Sequence, residues 1–360
     1  IENRTYTTPD FSGEITFPAF NPGDYMDVEI PIKSSETNFA IEVELTDYLG
    51  KKSVQRIDLE TMKNYRSPME LTVQDIGAAD IVYYPDEFGE VDVDRRIPLG
   101  RKNPNALAVI IGTQEYEDKN YPYLEYADRD RDVMRTYFRQ AFGLSDFQIL
   151  PSKPWQMEGG PSFDEYQMIF DPYQGDLRRR IISAEKYSEM DEIHLYVYFR
   201  GYGEWINGRP FLIPRDAVHD RDVTKFSLDE MVGSLSRLSV LDIIEKITLF
   251  MDVTYINPEE SSGLLWDYPD LPEKISILSS NSNGETSQLF NDKKHSFFTY
   301  SLLKGLSGNA DDGDNIIDLG EITEYVYKSV PENIRNQPGS LRQNPKFNGL
   351  DLKRILLDLR

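Results

Sequence analysis

ALAVII at 106–111, IHLYVYF at 193–199, ITLFMD at 247–252 and ISILSS at 275–280 are short, nearly unbroken apolar runs, and FQIL at 147–150 is a fifth. Amphipathic stretches stand between and after them, at Tyr126–Phe142, Asp176–Tyr187, Ser227–Leu238, His295–Leu306, Leu319–Ser329 and Leu350–Leu357. Continuous apolar runs suit strands covered on both faces. Their alternation with helical periods predicts an α/β domain, an open and mostly parallel sheet flanked by helices. Parallel neighbours joined through a helix need right-handed crossovers. Ligands of such sheets lie beyond the carboxyl ends of the strands, which directs attention to the loops after 111, 150, 199, 252 and 280.

Residues 1–95 carry no helical period. Asp27–Pro31 and Phe39–Leu45 alternate as half-buried strands do, while Asn21-Pro22-Gly23-Asp24 and Tyr48-Leu49-Gly50-Lys51 supply turns. A small β-sandwich is predicted there, incomplete if its first strands precede Ile1. The charged, proline-bearing stretch 83–105 suits a crossing between domains. The linker is placed at 96–105 and the α/β domain at 106–360. Two domains also fit a length of 360 residues at about 150 residues each.

Sixty-two acidic side chains against 39 basic ones leave a net charge of −23. Such a surface repels phosphate backbones and anionic lipid, so no nucleic-acid partner is expected. No apolar run approaches the ~18 residues of a spanning helix, so no membrane insertion is expected. The cysteine count is zero, which removes disulfides, thiolate metal sites and thiol nucleophiles together. Only His194, His219 and His295 are available for general-base chemistry or imidazole ligation. No cofactor is expected.

Five stretches carry a resemblance. ALAVIIGTQEYEDKNYPYLEYADRDRDVMRTYF (106–138) resembles the opening strand and helix of caspase-like cysteine peptidases, including bacterial and metacaspase relatives. YVYFRGYGEWINGRPFLIPRDA (196–217) resembles their histidine loop, where Gly-His-Gly follows an apolar strand, and ITLFMDVTYI (247–256) their cysteine strand, where Asp-x-Cys ends the run. ISILSSNSNGETS (275–287) and the stretch from His295 to Ile334, with RQNPKFNG (342–349) after it, resemble the small-subunit half. The resemblance runs in unbroken order over 106–349 and implies a caspase-like sheet. Residues 1–95 resemble the immunoglobulin-like modules placed ahead of bacterial caspase-like domains. That leading module and the freedom from cysteine tilt the expected location outside the cytoplasm.

The sequence departs from the family at the two positions that carry its chemistry. Tyr202 stands between Gly201 and Gly203 where the family has its histidine, and Thr254 stands two residues after Asp252 where the family has its cysteine. The family mechanism needs a thiolate beside an imidazole that moves its proton. A threonine hydroxyl is far less acidic, and a phenol with an ordinary pKa near ~10 donates rather than abstracts at neutral pH. His194 lies eight residues before Tyr202 on an extended run, roughly 26 Å away at ~3.3 Å per residue. His295 reads as a solvated helix start. His219, in the loop after IPRDA, is the one histidine placed to approach Thr254.

Several further residues are candidates for a vestigial cleft. Asp252 is either an inherited pocket acid or an ordinary strand-end aspartate. Arg200, where family members usually carry serine, either pairs with Asp252 and fills the old cleft or presents a fork to a carboxylate; filling is expected. Trp155, Trp205 and Trp266 each follow a candidate strand on the ligand side of the sheet, and Ser280 ends the ISILSS run. Loop 255–274 (YINPEESSGLLWDYPDLPEK) has no arginine and a single, terminal lysine, so no basic-specific self-processing is expected. In ADDGDNIIDLGE (310–321), Asp312, Asp314 and Glu321 are a weak cation set, because an EF-hand register would put Ala310 first and Asn315 at the glycine position; a solvated turn with Asp318 as N-cap is expected instead. The functional expectation is a degenerate peptidase that binds a protein or peptide partner or serves as a scaffold. The alternatives are a weak hydrolase using Thr254 with His219, and a purely structural component of an envelope or secreted assembly.

Overall fold

The computed structural model describes the backbone of the strands at 2–8, 11–17, 40–46 and 52–58, and residues 91–360 apart from 96, 152–158, 188–191, 261–270 and 338, with backbone alone at 185–187. The chain divides into two compact units, Ile1–Pro85 and Asp86–Arg360. In the first unit, β1 (Glu2–Thr8) pairs antiparallel with β2 (Phe11–Phe17), and β3 (Ala40–Thr46) with β4 (Lys52–Asp58). The strand expected at Phe39–Leu45 is thus present as β3, and the one expected at Asp27–Pro31 lies outside the described residues.

The second unit begins earlier than the sequence suggests. The described residues of 91–105, assigned above to the end of the β module and a linker, belong to it. Val91 and Val93 are buried there, Val93 on the short helix α1 (Asp92–Arg95), and the Gly100 N–H donates to the Gln140 carbonyl. A charged stretch reads as a linker until the partners of its charges are known.

The elements that follow are β5 (Ala106–Gly112), α2 (Ala127–Gln140), β6 (Ile149–Leu150), α3 (Phe163–Phe170), α4 (Asp176–Tyr187), β7 (Ile193–Ile206), β8 (Arg209–Leu212), β9 (Phe226–Ser227), α5 (Leu228–Ser239), β10 (Ile244–Tyr255) and β11 (Ile275–Ser279). After them come β12 (Leu289–Phe290), β13 (His295–Ser296), α6 (Phe297–Lys304), β14 (Ile316–Asp318), α7 (Leu319–Arg335), β15 (Lys346–Asn348) and β16 (Ile355–Asp358). The central sheet has the order β15-β11-β10-β7-β5-β6, with β8 and β9 extending from β7. Strands β6, β5, β7, β10 and β11 are parallel, and β15 closes the edge antiparallel to β11.

Alternate residues of each strand feed two cores. Val109, Val197, Leu249 and Ile277 face Leu177 and Ile181 of α4 and Leu235 of α5. Ala108, Tyr196, Phe250 and Leu278 face Val133 and Tyr137 of α2, Phe298 of α6, and Ile322 and Val326 of α7. This double covering is why the strand sequences are apolar throughout. The arrangement is the caspase-like open sheet flanked by helices that was expected. Strand β7 outruns the sheet and turns back into β8 at Asn207-Gly208, whose φ values of 53° and 73° are the left-handed backbone conformation of a two-residue turn that matches the right-handed twist of the hairpin strands.

Two elements differ from expectation. The helix foreseen at Leu350–Leu357 is instead the strand β16, antiparallel to β14. A helix is pre-empted there because the chain turns at 352–353 and the Leu352 and Arg354 carbonyls accept the first N–H groups of α7, from Gly320 and Leu319, while the buried Arg354 side chain reaches the Ile247 carbonyl. Helix α7 runs past Ser329 through Pro331 to Arg335, since Val330 and Ile334 stay anchored in the core. Truncating the fully buried Leu249 in β10 to alanine is expected to cost about 2–5 kcal/mol, read as a lowered denaturant midpoint of the second unit.

Candidate functional site

At the carboxyl end of the sheet, β7 and β10 lie side by side with Arg200 opposite Asp252, Gly201 opposite Val253, Tyr202 opposite Thr254 and Gly203 opposite Tyr255. Tyr202 and Thr254 are therefore neighbours across one parallel pair. Gly203 is required by this closeness, because a Cβ there would fall 2.5 Å from Val253 Cγ1 and 2.7 Å from Tyr255 Cε1.

Tyr202 is held rather than poised. Its backbone N–H donates to the Tyr116 hydroxyl at 2.9 Å, its ring packs against that of Tyr116 at 5.3 Å, and burial raises its pKa. The phenol keeps its proton at neutral pH. Thr254, which is half-buried, accepts a hydrogen bond from Arg200 Nη1 at 2.8 Å and donates to the Ser287 carbonyl at 3.2 Å. Its lone pair faces a cation and its proton faces an oxygen that cannot remove it.

Arg200 is wholly buried. Its Nε lies 3.3 Å from Asp130 and 3.7 Å from Asp252. Asp252 further accepts hydrogen bonds from the hydroxyls of Ser287, Ser296 and Thr299. Asp130, on α2, accepts the Ser296 N–H at 3.2 Å and bonds His295 Nδ1 at 2.6 Å. The other ring nitrogen, Nε2, lies 3.0 Å from Asp94 on α1, which also pairs with Arg129. Burial alone would lower the pKa of His295, but its bonds to Asp130 and Asp94 outweigh that and raise it. Burial raises the pKa of Asp130 in turn, and an imidazole that donates to a carboxylate through each nitrogen carries a hydrogen on both. The result is a buried set of three basic side chains, Arg129, His295 and Arg200, against three acidic ones, Asp94, Asp130 and Asp252.

The other sequence candidates fall elsewhere. Trp155 and Trp266 lie outside the described residues. Trp205 is not on a loop but within β7, 3% exposed, with its ring 5.4 Å from that of Tyr255; the strand continues past the sheet and carries it into the core. His219 bonds Asp220 and packs at a tilt against Tyr121, ring centroids 5.6 Å apart, while the Thr254 hydroxyl is bonded to Arg200 and the Ser287 carbonyl instead. His194 contacts Glu245 at the amino end of the strands. His295, expected in solvent, is fully buried, because the turn into α6 is pinned under α1 and α2. Ser280 is also fully buried, its hydroxyl accepting the Val253 N–H at 3.1 Å and donating to Asn281. In the 310–321 loop the clustered carboxylates are Asp311, Asp312 and Asp314. Glu321 instead completes a capping box with Asp318, the N-cap of α7, so it drops out of the cation set. Asp94, Asp130, Ser287, Ser296 and Thr299 were not singled out from the sequence. The only available signal was the acidic repeat in ADRDRD.

A family model described as the caspase domain matches residues 105–356. The chain belongs to the caspase domain family. Among solved structures, caspase-1 from Spodoptera frugiperda is 13% identical over 71% of this chain and 90% of that one, with a TM-score of 0.43. The Drosophila initiator caspase Dronc is 11% identical over 73% of this chain and 86% of that one, also with a TM-score of 0.43. No match is found among curated proteins. With no cysteine in its sequence, this caspase domain lacks the residue type on which the family's nucleophile depends.

Two outcomes follow from the buried set. Arg200→Ala leaves Asp130 and Asp252 without their shared cation and is expected to destabilise by about 3–5 kcal/mol, measured by equilibrium denaturation. Facing His295 are Asp94 from α1, Arg129 and Asp130 from α2, Arg200 from β7 through Asp130, and the Tyr300 ring of α6 at 6.4 Å. Because its folded pKa is raised, its contribution is complete below the unfolded value of about 6.5 and is lost as pH rises through the folded value. Denaturation midpoints between about pH 6 and pH 9 should fall in the parent protein and fall less in His295→Gln.

Proposed function

We propose that this caspase domain is a peptidase homologue without peptidase activity, in which Tyr202 and Thr254 occupy the family's histidine and cysteine positions, and that it serves as a protein- or peptide-binding scaffold. The observation that carries the reading is the state of the Thr254 hydroxyl, bonded between the Arg200 guanidinium and the Ser287 carbonyl. An alcohol attacks a peptide carbonyl only when a base withdraws its proton in the transition state. Neither bonding partner is a base, and the neighbouring Tyr202 phenol is itself protonated. A hydrolase built on Thr254 and His219 has no support in this geometry.

Arg200 also bears on the kind of binding. Its guanidinium fills the space between Asp130 and Asp252, where a substrate side chain would otherwise enter. A partner is therefore engaged by the outer surface of the domain, without a side chain threaded into the old pocket.

Purified protein incubated with peptide libraries carrying Arg, Lys or Asp at the cleaved position is expected to give no turnover above background. A β-lactone or phosphonate probe is expected to leave Thr254 unlabelled. Turnover that disappears in Thr254→Ala would overturn the proposal.

A further inference from the structure

Helix α1 (Asp92–Arg95) lies where the chain enters the second unit. Several contacts hold it down: the Tyr137 hydroxyl donates to the Val93 carbonyl at 2.8 Å, Lys304 pairs with Asp92 at 2.6 Å, and Asp94 pairs with Arg129 and His295. From Asp94 a line of hydrogen-bonded charges runs to the end of β10. Asp94 meets His295 Nε2 at 3.0 Å, His295 Nδ1 meets Asp130 Oδ1 at 2.6 Å, Asp130 Oδ2 meets Arg200 Nε at 3.3 Å, and Arg200 Nη1 meets the Thr254 hydroxyl at 2.8 Å. Every member but Thr254 is buried.

The Arg200 guanidinium sits in a compromise. Its Nε contacts to the carboxylates are 3.3 and 3.7 Å, long for charge-assisted bonds, and its buried Nη2 has no hydrogen-bond partner among the described residues. What keeps it there is competition for Asp130, one of whose oxygens is taken by the His295 imidazolium. That imidazolium in turn depends on Asp94, since with one carboxylate the ring needs only one hydrogen. Without Asp94, Asp130 would have Arg200 as its remaining cation, and the guanidinium gains by turning Nη2 toward it and leaving Thr254. A second orientation of this one buried side chain, biased from a distance, is the two-state element that coupling between sites would require.

We propose that α1 is a latch on the Thr254 position: through His295 and Asp130, its Asp94 sets which way the Arg200 guanidinium points, so that lifting residues 92–95 changes what the end of β10 presents. The inference concerns the relay alone and stands or falls independently of whether a partner is found.

The absence of cysteine makes the test direct, because Thr254→Cys introduces a single thiol at the end of the relay. With Arg200 beside it, that thiol should titrate below the ordinary value of about 8.5. Adding Asp94→Asn or His295→Gln is expected to raise the midpoint and to slow alkylation by iodoacetamide at neutral pH by about threefold or more. Leu235→Ala, which trims the core on the other face of the sheet without touching α1 or a charge, should leave the pH profile in place. An unchanged profile in the folded charge variants, or an equal shift in Leu235→Ala, would overturn the latch. Should the charge variants not fold, Thr254→Cys alone decides: its alkylation profile must carry a second inflection where His295 titrates, and a single inflection rejects the relay.

Discussion

A guanidinium without access to water, placed between two equally buried carboxylates, is the constraint around which the end of this sheet is organised. Removing charges from water is costly, and their mutual attraction offsets that cost only when the geometry is good and the remaining lone pairs are satisfied. Here Asp252 is satisfied by three hydroxyls and Asp130 by an imidazolium and a backbone N–H. The compensation is drawn from every element nearby: Arg200 from β7, Asp252 from β10, Asp130 and Arg129 from α2, Asp94 from α1, and His295 from the turn into α6. The helices on that face of the sheet are thus tied to the strand ends by charge as well as by apolar packing.

The same set shows how the strand ends of this caspase domain are stabilised. Polar groups at a site kept open for chemistry give up some ground-state stability. In this chain the strand-end polar groups bond one another. Tyr202 joins an aromatic layer with Tyr116 and Tyr121, and Thr254 becomes the terminus of a hydrogen-bonded line. The side chains at 200, 202 and 254 are mutually consistent: a guanidinium between two buried acids, a phenol that packs, and an alcohol that accepts.

Much of the fold was legible in the residues because burial on both faces writes strands as continuous apolar runs. ALAVII, IHLYVYF, ITLFMD and ISILSS all became parallel neighbours of one sheet. The helices α2, α4, α5 and α7 appeared where their periods indicated, with Asp318 capping α7 as expected. Errors arose where a segment's conformation is set by distant partners. Residues 350–357 have a helix-like pattern, yet two of their carbonyls are recruited by α7 and the chain turns at 352–353 into β16. Trp205 looked like a loop residue only because the length of β7 beyond the sheet cannot be seen in its composition.

By itself the sequence determined the layered α/β class and the absence of any thiol, because apolar periodicity and residue identity are local properties, while the pairing of Tyr202 with Thr254 came from the structure. The sequence also allowed that Arg200 would meet Asp252. Tertiary structure alone decided that His295 is buried and doubly bound, that Asp94 and Asp130 complete the charge balance, and that His219 stays away from Thr254. These depend on which side chains converge from elements more than a hundred residues apart, such as Asp130 and His295, and no local pattern records that convergence.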